Sequence, residues 1–252
     1  LYAWSRLRQA APAPSRQDWI RATGLGVLML VTANGATTWA EQLVPSGLTA
    51  LIVCTSALWL VVLNWLWLGA RRPGARTVAG IVAGFGGVAL LVVPGNFGGS
   101  QHVDPIGALV LTGAALSWSV GSIYAIKLSR PAHPTRFVAQ QMIAAGVVLL
   151  ATSTLTGEAR AFSWEHLSAA SAAAYLYLAF FGSLVSYSAY FWLIRHTTPD
   201  RLATISYVNP LVAVILGWAL AGESLSVRTL LAAAVILVAV GLISTTRMRQ
   251  RA

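Results

Sequence analysis

An all-α polytopic membrane bundle is the fold class this sequence predicts, on three observations. Hydrophobic residues make up 57% of the 252 positions and charged residues only 10%, with a mean hydropathy of +0.70. A soluble domain carries about 25% charged residues. Apolar runs near the roughly 20 residues that cross a bilayer recur along the whole chain. The basic residues then fall on alternate sides of those runs, which a soluble core does not explain.

Eight spans follow in order. The first covers about Thr23 to Trp39 and the second Leu48 to Leu68, joined through Pro45-Ser46-Gly47. The third, Thr77 to Val93, follows Arg72-Pro73-Gly74 and stops at Pro94-Gly95. The fourth is Ile106 to Ile126 and the fifth Phe137 to Leu155. The sixth, Ala169 to Ile194, is long and holds Gly182 and several serines, which predicts a tilt or a break. Leu202 to Leu220 and Thr229 to Thr245 complete the set, and no stretch is left for a soluble domain.

Charge fixes the expected orientation. The N-terminal segment and every second loop hold 15 of the 17 Lys and Arg, among them Arg16, Arg71, Arg76, Lys127, Arg136, Arg201 and Arg249. The other side has Arg160 and Arg228, with Glu41, Asp104, Glu158, Glu165 and Glu223. Cytoplasmic loops collect Lys and Arg, so both ends of the chain are expected in the cytoplasm, in an inner membrane. This placement assigns the net charge of +10 to topology and away from nucleic acid.

Enzyme and cofactor motifs are missing from the sequence. The single cysteine, Cys54, lies within an apolar run, and His102, His133, His166 and His196 are scattered through loops. Neither a metal cluster nor a phosphate-binding glycine loop is spelled out, so no cofactor is expected and any transport would draw on a gradient.

Two stretches resemble each other at a spacing of about 153 residues. Pro45 to Ala50 leads into a span ending Leu68-Gly69-Ala70, and Pro199 to Thr204 into one ending Ala221-Gly222-Glu223. Arg76-Thr77 and Arg228-Thr229 follow at matching places. The copies lie five spans apart, so they would enter the membrane from opposite sides, as inverted transporter repeats do. On this reading residues 1–95 are the last three spans of a first repeat and 105–247 a complete five-span second repeat. Residues 248–252 form a basic tail. Two further spans are then expected before Leu1, for a ten-span whole.

This order resembles the EamA-type branch of the drug/metabolite transporter superfamily. Ala40-Glu41 with Val44 to Gly47, Ser117-Trp118-Ser119, Gly121 to Tyr124, Tyr207-Val208-Asn209-Pro210 and Gly222-Glu223 carry the resemblance. It implies a 5+5 inverted repeat, a central cavity, and export of amino acids or similar small metabolites. The first copy departs at Ser56 or Ala57, where the second has Pro210, and at Ala70, where the second has Glu223.

Polar groups within spans are the candidate cavity residues. Asn34, Thr38 and Glu41 share a helical face, with Trp39 beside them. Such a stripe avoids lipid and lines either a helix contact or a cavity. The sixth span offers Ser186, Tyr187 and Tyr190, and the fourth and fifth Trp118, Tyr124 and Gln141. Tyr207 and Asn209 precede Pro210, which frees a carbonyl one turn earlier and is the expected hinge, or else a static kink. The Gly80, Gly84, Gly87 series suits close internal packing better than dimerisation, and a homodimer stays open. The sparse charge within spans favours neutral or zwitterionic solutes. A non-transporting membrane scaffold, or subunit of an envelope complex, is the competing reading.

Overall fold

The computed structural model describes residue 2 and residues 14–69, 72–92, 104–128, 133–161, 163, 167–196, 205–222 and 227–249. Arg71, Arg130, Arg201, Glu165, Glu223 and residues 250–252 of the basic tail lie outside the described residues. Among those described, every regular element is helical: α1 (Arg16–Gly26), a π-helical stretch Val27–Gly35, α2 (Ala36–Ala40), α3 (Ser46–Val53), α4 (Ser56–Leu68), α5 (Ala75–Val92), α6 (Pro105–Lys127) and α7 (Pro134–Thr156). Then come α8 (Glu158–Ala161), α9 (Ala169–Tyr177), a second π stretch Leu178–Val185, α10 (Ser186–His196), α11 (Ile205–Ala221) and α12 (Val227–Arg249).

Among the described residues, helix is found within each of the eight stretches expected from the sequence. Among the described residues, four helices are long and apolar enough to cross a membrane: Ser46–Leu68, Pro105–Lys127, Pro134–Thr156 and Ala169–Leu193. At 1.5 Å per residue, a 23-residue helix is about 34 Å long, enough for a hydrocarbon core of about 30 Å. Ala75–Leu90 and Thr229–Ala239 are shorter apolar helices. Outward-facing side chains are apolar too: Leu109 is 73% exposed, Leu150 69% and Tyr175 71%. Water would oppose so much exposed hydrocarbon, and lipid accepts it. The protein is a multi-pass membrane protein.

The structure departs from the sequence reading at three helices. The first begins at Arg16, about two turns before the expected span, because Ser15 and Asp18 close a capping box. The Asp18 N–H donates to Ser15 Oγ at 3.1 Å, and the Ser15 N–H donates to Asp18 Oδ2 at 2.9 Å. The Ser15 hydroxyl also donates to that oxygen, at 2.7 Å. These bonds hold the Asp18 carboxyl below its ordinary range. A depressed carboxylate stabilises the fold above its unfolded pKa of about 3.9 and stops doing so as pH falls through the folded value. Asp18→Ala is therefore expected to cost up to about 1 kcal/mol near neutral pH and less as pH falls through the folded value, read as hydrogen exchange of the first-turn amides.

The second departure is at Cys54–Thr55, where the expected continuous second span breaks into α3 and α4 without a proline. Tight bonds bridge the break, with the Thr55 N–H donating to the Ile52 carbonyl and the Leu58 N–H to the Thr55 carbonyl. Just past the break the Ser56 carbonyl accepts from Ser119 Oγ of α6 at 2.9 Å. By contrast α11 runs through Asn209 and Pro210 as one helix. Third, the sixth span carries its irregularity as the π stretch around Gly182.

The chain forms two compact units, Leu1–Val31 with Leu128–Thr198 and Thr32–Lys127 with Pro199–Ala252. The second unit has a core of Leu48, Leu51, Ile52, Leu58, Val88, Leu111 and Ile236. Within it α5 approaches α4 closely at Gly84 and α12 closely at Gly87, because both glycines lack side chains. A Cβ at Gly84 would stand 2.5 Å from Leu58 Cδ1, and one at Gly87 2.7 Å from Ile236 Cγ1. Gly84 and Gly87 thus serve packing within the unit. In the first unit α1 lies along α7 at Gly26, and α10 also packs on α7. Gly69 and Gly222 close α4 and α11 at φ 65° and 67°, a left-handed cap that glycine adopts freely.

Candidate functional site

In the first unit, three helical segments bring polar and polarisable groups together in an apolar surround. Gln141, on α7, is fully buried, and Tyr187, on the first turn of α10, is 5% exposed. The Tyr187 hydroxyl donates to Gln141 Oε1 at 2.6 Å and lies 3.8 Å from Met29 Sδ in the first π stretch. Phe191, one turn beyond Tyr187, packs its ring against both Tyr187 and Phe137, with centroids 5.9 and 6.1 Å away. A buried hydroxyl that reaches a partner keeps its polar atom satisfied. Gln141 Nε2, however, is buried and has no hydrogen-bond partner. Leaving such a donor unmade costs about 1–3 kcal/mol.

Both π stretches adjoin the cluster. Met29 belongs to Val27–Gly35, and Tyr187 lies two residues past Leu178–Val185. A π turn offsets backbone bonds by one residue and frequently marks a functional position. At the end of the second stretch the Phe181 carbonyl accepts both the Ser186 N–H and the Ser186 hydroxyl, the latter at 2.6 Å.

The remaining sequence candidates scatter. Ser186 is exposed and Tyr190 half-buried on the same helix as Tyr187. In the second unit Asn34, Thr38, Trp39 and Glu41 are all exposed, so the polar stripe is an open face of that unit. Trp118 is half-buried, while Tyr124 and Asn209 are exposed. The side chains of Tyr207 and Pro210 lie outside the described residues. Gln141 and Tyr187, both among the twelve cavity candidates, are joined by a hydrogen bond.

Sequence reasoning missed Met29, Gln140 and Arg136. Arg136 counts as a loop charge by its position ahead of the fifth span, yet it sits in the first turn of α7 and is 3% exposed. Pro134 at the first helical position was the available signal, because proline there starts a helix three residues earlier than hydropathy does.

The sequence profile of the EamA-like transporter family matches residues 1–93 and 105–245. The chain belongs to that family. Among its relatives, the uncharacterized inner membrane transporter YedA of Escherichia coli is 37% identical over 232 residues, covering 92% of this chain and 72% of YedA. The uncharacterized transporter YvbV of Bacillus subtilis is 28% identical, covering 94% of this chain and 75% of YvbV. A probable amino-acid metabolite efflux pump of Escherichia coli is 27% identical, covering 77% of this chain and 65% of the pump. A crystal structure with 19% identity superposes with a TM-score of 0.63 over 98% of this chain and 81% of that one. This EamA-family chain therefore shares the fold of that crystal structure.

Proposed function

We propose that this EamA-family chain acts in secondary transport across an inner membrane, exporting amino acids or similar small metabolites by alternating access between two inverted repeats. Both ends of the chain lie in the cytoplasm on this reading, and all eight helical stretches cross the bilayer. Family membership supports transport, and one relative's description as an amino-acid metabolite efflux pump supports the substrate class. Two features support the repeat. Gly69 and Gly222, paired by the sequence, close their helices with φ 65° and 67°. The two π stretches begin 151 residues apart, against a sequence spacing of about 153.

The observation that carries the site is the Tyr187–Gln141 bond, which joins the π-flanked α10 to α7. Breaking it frees a hydroxyl and an amide, groups able to exchange one another for a polar solute at little net cost. Asn34, Thr38, Trp39, Glu41, Trp118, Tyr124, Ser186, Tyr190, Tyr207 and Asn209 are proposed to line the remainder of the solute path, with Pro210 as a hinge.

Tyr187→Phe is expected to lower export about tenfold, the weight of one polar bond in a dry site. Everted vesicles loaded with a panel of labelled amino acids and their derivatives read the flux. A protein that moves no member of the panel, and that co-purifies with a stoichiometric membrane partner, would instead be a scaffold.

A further inference from the structure

We propose that the break at Cys54–Thr55 is a reversible latch, closed while the Ser119 hydroxyl of α6 reaches the Ser56 carbonyl and open when the second span straightens. Its purpose rests on the transport reading above, to which it adds a moving part within the second unit. The local sequence gives no reason for the break. Neither proline nor glycine stands between Leu48 and Leu68. In the other copy α11 runs on as one helix although it holds Pro210. Contacts from outside the span therefore hold α3 and α4 apart.

The backbone at the break stays close to helical. Cys54 has φ −56° and ψ −23°, and Thr55 has φ −61° and ψ −12°. An α-helix has ψ near −42°, so turns of about 20° and 30° within one allowed basin make the span continuous. Neither Thr55 nor Ser119 is stranded by the change. Thr55 gives the Ile52 carbonyl both its N–H, at 3.0 Å, and its hydroxyl, at 2.6 Å. In a continuous helix the N–H moves to the carbonyl one residue earlier, and a threonine hydroxyl bonds to either. Ser119 Oγ, fully buried, stands 2.8 Å from the Ala115 carbonyl of its own helix and 2.9 Å from that of Ser56. A hydroxyl carries one hydrogen, so the two carbonyls share it, and Ala115 keeps it when Ser56 withdraws.

Packing is what opposes straightening. α3 lies against α6 and α11, and α4 lies against α6 as well, all within the second unit. A continuous span draws one half away from these neighbours and uncovers the junction, where Cys54 is 4% exposed. Cys54 is the single cysteine of the chain, so its thiol reports on the latch without background.

The test follows alkylation of Cys54 by N-ethylmaleimide in the purified full chain, read by intact mass as sodium dodecyl sulfate is added to a mild detergent. A latch opens little surface, so the rate is expected to stay flat at low dodecyl sulfate, whereas global unfolding makes it climb steeply. Ser119→Ala is expected to raise the flat rate about threefold, the weight of one interhelical hydrogen bond in a membrane bundle. Thr112→Val is the control, since the Thr112 hydroxyl bonds back to the Ala108 carbonyl within α6, at 2.8 Å. It is expected to label at the parent's rate.

A parent rate that climbs from the first addition of dodecyl sulfate would mean that Cys54 is reached only by unfolding, and the latch is overturned. So it is if Ser119→Ala labels like the parent, or if Thr112→Val labels as fast as Ser119→Ala. Alkylation is measured without flux, so a chain that exports nothing yet shows this pattern would sink the transport reading and leave the latch standing.

Discussion

Replacing Gly26 by alanine is expected to destabilise the protein about as severely as replacing it by valine, by roughly 3 kcal/mol. The reason lies in which atom collides. A Cβ at Gly26 would stand 2.6 Å from the Gln141 carbonyl oxygen, 3.3 Å from its carbon and 3.4 Å from its Cα. All three are backbone atoms of α7, so no rotamer change relieves the overlap, and the helices must separate. Small residues permit such close approach within membranes, and a methyl group is enough to abolish it. At Gly84, by comparison, the nearest atom is the tip of Leu58, which is able to turn aside. Gly84→Ala is thus expected to cost less, and Gly86→Ala, with nothing within 4 Å, to cost nothing, since alanine has the better helix propensity.

Thermal melting of the detergent-purified protein checks the order. For a chain of this size about 3 kcal/mol corresponds to a fall of roughly 6–12 °C. Equal melting of Gly26→Ala and Gly86→Ala would contradict the close seam. A second consequence is functional. Moving Gln141 away from α1 also shifts the acceptor of the Tyr187 hydroxyl, so Gly26→Ala that survives in membranes should export poorly as well.

The helices were legible in the sequence because hydropathy and charge act over whole turns, and an error of two residues leaves them intact. Every expected span carries helix, and Gln141 and Tyr187 stood out as polar groups in apolar runs. What stayed hidden depends on single atoms. Gly26 reads like any of the 22 glycines until its neighbour is the Gln141 backbone. Met29 reads as a core residue, and only the fold sets its sulfur beside a tyrosine hydroxyl. Arg136 was misplaced because a charge near a helix start looks solvated in one dimension, whereas tertiary packing decides its exposure. The break at Cys54–Thr55 also lacked a signal, because no proline or glycine stands there and the tight turns are made by ordinary residues. The two π stretches were half legible, through Gly182 and the serines beside it in one copy, while in Val27–Gly35 the small and polar residues Thr32, Asn34 and Gly35 come only at the end.

Those stretches support the second large effect, a deletion that spares the fold and stops transport. A π stretch amounts to one residue more than an α-helix needs over the same rise. Deleting Gly182 from Leu178–Val185 is therefore expected to restore α-helical bonding while leaving α9 and α10 in their present phase. Tyr187 keeps its place against Gln141, so melting should change little. Deleting Ala173 within α9 removes a residue where none is spare, rotates one flank by about 100°, and should destabilise the unit instead. On the proposed alternating-access cycle, export should fall at least tenfold in the Gly182 deletion, since the irregular bonding would let this segment change its backbone pairing. The Phe181 carbonyl already takes two donors from Ser186, the N–H and the hydroxyl, and that arrangement belongs to the π geometry. A Gly182 deletion that melts and exports like the parent would show that the extra residue is a local packing defect. One that melts normally and exports nothing would place the moving part of the transport cycle beside Tyr187. The matching deletion within Val27–Gly35, on the other side of the same cluster, should then behave alike.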